Sequence, residues 1–329
     1  MSHAFPAPAK LNLFLHVVGR RADGYHLLES VFRLIDYSDT VHLQLRDDGR
    51  VVREVNLPGV PEGDDLTVRA ARLLQAYAPA GAGVSIWLDK LLPLGGGLGG
   101  GSSDAATVLL ALNRLWQINL PREALQKLAL QLGADVPVFI FGQTAFAEGV
   151  GEILHPVSAP PAWYVVLMPP VQVPTAAIFA TPELTRNTPP LKIAPFSAGM
   201  GHTSSHGFQP IESLGSLVGH NDLQPVVVNG YPEVARHLAW LTHTIQHAQQ
   251  RVADRSPLGH TTPHGLQPVA DRSPLGQFGE ARMTGSGACV FASFGTEAAA
   301  RDVLRQLPGT MKGFVARGLD KHPLFDYCA

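Results

Sequence analysis

Six glycines fall within seven positions in Gly95-Gly96-Gly97-Leu98-Gly99-Gly100-Gly101, with Pro93-Leu94 before them and Ser102-Ser103-Asp104 after. Backbone without Cβ atoms takes positive φ readily and lets a ligand come close. Ser102 or Ser103 is expected to cap a helix. Ala105, Val108, Leu109 and Leu112 then follow at helical spacing. A glycine loop that runs into a helix N-terminus presents free N–H groups and the positive end of the dipole, which suits phosphate. No Gly-Lys-Ser/Thr closes the run, so it is not a Walker A loop. Gly95, Gly97 and Gly100 satisfy G-x-G-x-x-G, but so glycine-rich a run does that almost automatically, and no βαβ unit opens with it. A flexible linker is the bland alternative, and linkers rarely end in a capped apolar helix.

Other positions hold groups able to do chemistry. Residues 9–17 alternate as a strand, with Leu11, Leu13, Leu15 and Val17 on one face and Lys10, Asn12, Phe14 and His16 on the other. Lys10 and Asn12 could line a site, or the strand could simply be half exposed. Asp135 interrupts an apolar run in Gly133-Ala134-Asp135-Val136-Pro137, either as a helix cap or buried structural acid or as a working carboxylate. Asp23-Gly24 signals a turn that exposes Tyr25 and His26, a pair that either packs a loop or meets a ligand. Phe179 reads equally as core or as a ligand contact. Arg282 to Phe291 reads as strand, glycine turn, strand, and backbone N–H groups of such a turn can form an anion nest. His202 to His206 has a metal-like look within a Ser-, Thr-, Gly- and Pro-rich stretch.

The run from Pro93 to Ser103 resembles the phosphate loop of the GHMP family of small-molecule kinases. Its spelling is closest to a branch acting on an alcohol that carries a cytidine diphosphate group. Pro8-Ala9-Lys10-Leu11-Asn12-Leu13, Arg21-Ala22-Asp23-Gly24-Tyr25-His26, Leu132-Gly133-Ala134-Asp135-Val136-Pro137 and Thr284-Gly285-Ser286-Gly287-Ala288 resemble further motifs of that branch. The resemblance covers about 1–195 and 280–320. It implies an ATP- and Mg²⁺-dependent transfer of the γ-phosphoryl group to an alcohol. Pro93, Leu94, Gly95, Gly96, Gly97, Leu98, Gly99, Gly100, Gly101, Ser102 and Ser103 would hold ATP. Asp135 would accept the hydroxyl proton, with Lys10 favouring its ionised form, since opposite unit charges 4 Å apart attract by about 4 kcal/mol at an effective dielectric of 20. Asn12, Tyr25, His26 and Phe179 would bind the substrate, the last three around the cytosine. The metal ligands are not implied. Asp65 stands where the family commonly has Asn near the adenine, so it cannot supply an amide donor there. Two other readings stay open: another GHMP kinase with a different alcohol, or a nucleotide-binding regulator without catalysis.

Behind these groups, 329 residues are enough for two domains. The resemblance implies an α+β fold: an N-terminal domain like ribosomal protein S5 domain 2 over 1–156, a ferredoxin-like C-terminal domain over 157–329, and an active site in the cleft between them. Strands are expected at 31–35, 40–45, 51–55, 84–88, 163–168 and 313–317, with an Asp47-Asp48-Gly49 hairpin joining the second and third. Helices are expected at 66–77, 121–132, 175–179, 231–250 and 297–307. Val252-Ala253-Asp254-Arg255-Ser256-Pro257-Leu258-Gly259 recurs at 269–276, which reads as a duplicated, disordered loop insertion at about 251–279. A net charge of −2 gives no footprint for nucleic acid or membrane. Cys289 and Cys328 form no disulfide framework, and Met1 to Pro8 reads as neither signal nor transit peptide. A cytoplasmic monomer or homodimer is expected.

Overall fold

A computed structural model describes residues 2–191, 209–210, 220–255 and 279–328. β1 (Ser2–Arg20) and β2 (His26–Arg46) form a long antiparallel pair around the Asp23-Gly24 turn. Register shifts at Pro8/Ala9, Asn12/Leu15 and Val17/Gly19 break the simple alternation. Both faces of β1 are covered: Lys10, Asn12, Phe14 and His16 are buried along with Leu11, Leu15 and Val17.

β3 (Val51–Arg53) does not form the expected hairpin with β2. β4 (Gly83–Asp89) lies between them, antiparallel to β2 and parallel to β3. The Asp47–Gly49 turn therefore carries the chain past a strand position that β4 fills later. Between β3 and β4 comes α1 (Leu66–Gln75), whose buried face is Val68, Ala70, Ala71 and Leu74. α2 (Gly100–Leu115), α3 (Arg122–Leu130) and α4 (Val136–Phe141) complete the helical layer. α2 is the central one, apolar nearly all round, with Ala105 to Leu112 buried. Leu34, Val41, Leu43, Val84 and Ile86 of the sheet meet Leu74, Val108, Leu109 and Phe139 in the first core.

β5 (Ala145–Glu148) and β6 (Ile153–Ser158) extend that sheet beyond β2. The second half contributes β7 (Trp163–Leu167), α5 (Thr175–Ala180), β8 (Gln209–Pro210), α6 (Gln224–Gly230), α7 (Pro232–Arg255), β9 (Arg282–Met283), β10 (Val290–Phe294), α8 (Glu297–Leu304) and β11 (Gly313–Leu319). Val165, Leu167, Leu223, Val234, Leu241, Met283 and Val290 belong to a second core.

The result is the α+β arrangement expected, with a core in each half and a third buried cluster, which includes Leu11, Ile35, Val166 and Phe314, joining them. Residue 156, the expected boundary, lies within β6. β11 pairs with β7 and, through Gly318↔Ile35 and Leu319↔Leu34, with β2, so the strands run as one continuous sheet. Leu15 and Val17 of β1 pack into the second core, and Leu324 and Cys328 return to the first. The first four residues of the repeat, 252–255, end α7. The remaining repeat residues, 256–259 and 269–276, and His202 to His206 lie outside the described residues.

Candidate active site

The glycine run leaves β4 and enters α2 as expected, but no serine caps the helix. Gly99, at φ 73°, is the N-cap, so Ser102 and Ser103 already lie in the first turn. Ser103 is buried there and donates to the Pro8 carbonyl at 2.7 Å. Leu98 is buried in a cluster with Leu92, Val166 and Phe291. The side chains of Leu98 and Ser103 thus belong to the protein interior, whereas Pro93 to Gly97 and Gly99 to Ser102 line a cavity of about 890 Å³. The missing side chains matter most where protein meets protein. A Cβ on Gly97, at φ 76°, would sit 2.2 Å from the Thr284 carbonyl oxygen, and one on Gly99 would sit 2.9 Å from the Phe139 ring.

The glycine-containing turn of residues 284–287 closes over the loop. The Thr284 hydroxyl accepts from the Asn12 backbone N–H at 2.9 Å and donates to the Gly97 carbonyl at 3.4 Å. Cys289 N–H donates to the Gly96 carbonyl at 3.1 Å. Asn221 fixes the turn from behind, its amide donating to the Met283 and Gly285 carbonyls at 2.9 Å each. Ser286 and Thr175 share a hydroxyl–hydroxyl bond of 2.7 Å across the cavity wall.

Lys10 and Asp135 meet in this cavity, Nζ to Oδ2 at 3.3 Å. Lys10 is 3% exposed; its ammonium also donates to Asn12 Oδ1 at 2.5 Å and lies 5.2 Å from the Phe32 ring centroid. Asn12 is held in turn by donating to Ser30 Oγ at 2.8 Å. Asp135 occupies the N-cap of α4, yet its side chain makes no capping bond and is 40% exposed toward the cavity. Both alternatives, buried structural acid and cap, are therefore set aside.

Tyr25, 64% exposed, stands at the rim, and His26 and Phe179 stack with centroids 4.9 Å apart at 26°. Phe179 packs on the second core and also lines the cavity. His26 is kept below the usual imidazole range by burial first and then by the charges of Arg186 and Arg20. Asp65 is absorbed by the fold. It caps α1, accepting from Thr67 N–H at 2.9 Å and Thr67 Oγ1 at 2.6 Å, and pairs with Arg53 at 3.2 Å. Its neighbour Leu66 lines the cavity instead.

Beneath the loop is a cluster whose members lie far apart along the chain and were not expected to meet. Lys90 bonds two buried carboxylates, Asp39 and, at 2.7 Å, Asp104 in the first turns of α2. Asp39 also accepts from the Leu91 and Leu92 N–H groups at 2.6 and 2.8 Å. Burial pushes Asp104 up to about 7 against the pull of Lys90, with the Asp39 charge adding to the rise. Arg186 and Asn221 were likewise not singled out from the sequence. Each acts by bonding backbone carbonyls, a role that leaves no spacing signature in a single chain.

Among the described residues no group of three or more His, Cys, Asp or Glu could hold a metal ion. Mg²⁺ needs less, since it keeps several waters and is carried largely by phosphates. Asp23 and Asp135 are the carboxylates lining the cavity, and the Ser102 hydroxyl lies at the helix start. That donor set fits an ion delivered with a nucleotide. No helix among the described residues is long and apolar enough to cross a membrane.

Residues 65–143 match the GHMP kinases N terminal domain and residues 275–313 the GHMP kinases C terminal. A 4-diphosphocytidyl-2-C-methyl-D-erythritol kinase of Thiobacillus denitrificans is 69% identical over 327 residues, 99% of each chain. One from Nitrosospira multiformis is 53% identical, covering 98% of this chain and 93% of the relative. A crystal structure of 4-(cytidine 5'-diphospho)-2C-methyl-D-erythritol kinase matches with a TM-score of 0.67 at 29% identity, over 97% of this chain and 99% of that one. A homoserine kinase from Cytophaga hutchinsonii, at 16% identity and a TM-score of 0.57 over 98% and 95% of the two chains, shares the fold.

Proposed function

Since this chain belongs to the 4-diphosphocytidyl-2-C-methyl-D-erythritol kinases of the GHMP family, we propose that its cleft moves the γ-phosphoryl group of ATP to the 2-hydroxyl of 4-diphosphocytidyl-2-C-methyl-D-erythritol, a step of non-mevalonate isoprenoid precursor synthesis. The observation that carries this reading is the Lys10–Asp135 pair, set in one cavity between the glycine loop and the Tyr25, His26 and Phe179 wall. The loop's N–H groups and the α2 terminus hold the phosphates, and the ring wall takes the cytosine. Transfer forms a bond from the substrate oxygen to the γ-phosphorus and breaks the bond from that phosphorus to the β–γ bridging oxygen. Asp135 takes the hydroxyl proton. A carboxylate is a weak base for an alcohol, which suffices when proton loss comes late in a loose transition state. Lys10, fixed by Asn12, holds that carboxylate in place. Ser102 is the residue that would hold Mg²⁺ on the loop side, and the ion would offset phosphate charge. Two buried, free cysteines accord with a cytoplasmic setting.

The test is a substrate panel read by ADP release: 4-diphosphocytidyl-2-C-methyl-D-erythritol, the same alcohol without the cytidylyl group, homoserine and mevalonate. Turnover should require the cytidylyl group. Turnover of another alcohol alone would assign a different GHMP kinase activity, and ATP binding without any turnover would assign a regulator.

A further inference from the structure

Arg186 follows α5 and turns its whole guanidinium inward. Nη2 donates to the Phe179 and Thr181 carbonyls at 2.9 and 2.7 Å, and Nη1 to the Leu184 and Pro182 carbonyls at 2.9 and 3.3 Å. The last donor, Nε–H, points at His26 Nε2 from 3.1 Å. All five N–H groups of the side chain are thus in use, and a guanidinium can only donate. His26 Nε2 must therefore accept through a lone pair. A protonated imidazole has no such lone pair, and neither does the Nε2–H tautomer. The one form compatible with Arg186 is neutral imidazole with its proton on Nδ1.

We propose that Arg186 is a positioning residue for base selection: it fixes His26 as an Nδ1–H donor and so makes the pocket demand an acceptor, such as N3 of cytosine, from the pyrimidine it holds. This rests on the reading that Tyr25, His26 and Phe179 bind the base. Uracil carries N3–H where cytosine carries a bare nitrogen, so it would set donor against donor. The same guanidinium bonds the carbonyl of Phe179, whose ring stacks on His26. One side chain thereby fixes both the polar edge and the apolar face offered to the base. The surroundings of the ring agree with a neutral imidazole: burial disfavours its charge most, and Arg186 on one side and Arg20 from the end of β1 add to that.

Two measurements test this. Nitrogen-15 NMR of the imidazoles, with His26→Gln to assign the signal, should show His26 as the neutral Nδ1–H tautomer at pH 7 in the unmodified protein. In Arg186→Met the signal should move to the Nε2–H form or to a mixture. Kinetics should favour the cytidylyl substrate over its uridylyl counterpart by about tenfold or more in kcat/KM, the scale of an unpaired polar group in a binding site. Arg186→Met should shrink that ratio mainly through KM for the cytidylyl substrate, with KM for ATP unchanged. An Nε2–H or imidazolium signal in the unmodified protein would overturn the proposal without any variant having to fold. An Nδ1–H signal together with equal use of both pyrimidines would instead overturn the base-pocket reading. An unchanged ratio in a folded Arg186→Met would leave Arg186 a purely structural residue.

Discussion

Asp135 stands where an aspartate normally caps a helix and gives that interaction up, since its side chain faces the cavity. A capping bond contributes about 1 kcal/mol, so the residue is placed for something other than stability. Asp135→Asn should lower turnover by roughly 10²–10⁴-fold, the reach of general base catalysis, while ATP still binds and the melting temperature holds. Lys10→Met should also slow turnover, because the carboxylate loses its 3.3 Å partner. If the two act as one unit, the double variant should lose much less than the product of the single losses. Single-turnover phosphoryl transfer on the three variants reads this directly, and near-normal turnover in Asp135→Asn would remove it as the base. Asp135 stood out in the sequence as an acid within an apolar run, and Lys10 by sharing a strand face with Asn12 inside a matching motif. Arg186 did not, because an arginine among Leu184, Thr185 and Asn187 looks like any exposed loop residue until the chain folds its carbonyls around it.

The glycine loop and α2 were legible as elements, from composition and helical spacing, but the reason for the glycines was not. The expectation from sequence is backbone bared to phosphate. The structure adds a second demand, that the loop lie against the turn at 284–287, which a local reading cannot see. Gly97→Ala should therefore lower thermal stability without any nucleotide present. Its Cβ would collide with a backbone oxygen, and overpacking of this kind costs about 1–3 kcal/mol. Gly101→Ala is the contrast: its Cβ would meet nothing closer than Leu66 at 3.8 Å, so its melting temperature should not fall. Equal stability of the two variants would leave phosphate access as the sole reason for Gly97. Below the loop, Asp104 binds its proton more tightly folded than unfolded, since burial raises its pKa to about 7 from an ordinary value of 3.8. Its contribution to stability is thus full below about pH 4 and declines as pH rises toward 7. Asp104→Asn should remove that decline. Denaturant titrations across pH 4–8 would show the gap between variant and parent moving in the variant's favour as pH rises, and parallel curves would refute the assignment.

Across the whole molecule, the two halves were legible and their joining was not. Strand and helix periodicity carries no record of β11 pairing with β2, of β4 inserting between β2 and β3, or of Leu324 returning to the first core. These are contacts between segments distant along the chain, made because each buries an otherwise exposed strand edge or apolar side chain. The Thr284 hydroxyl gathers that joining into one atom, tied to β1 through Asn12 N–H and to the glycine loop through Gly97. With the sheet also continuous behind it, the two walls of the cleft are joined at their base. A cleft already assembled has nothing left for one ligand to prepare for the other. ATP and the alcohol should then add in either order. Titration calorimetry should find each binding alone, with affinities altered by the other by less than the roughly fivefold at which site-to-site couplings usually begin. An alcohol that bound only after ATP would mean that the seam at Thr284 opens and closes with every catalytic cycle.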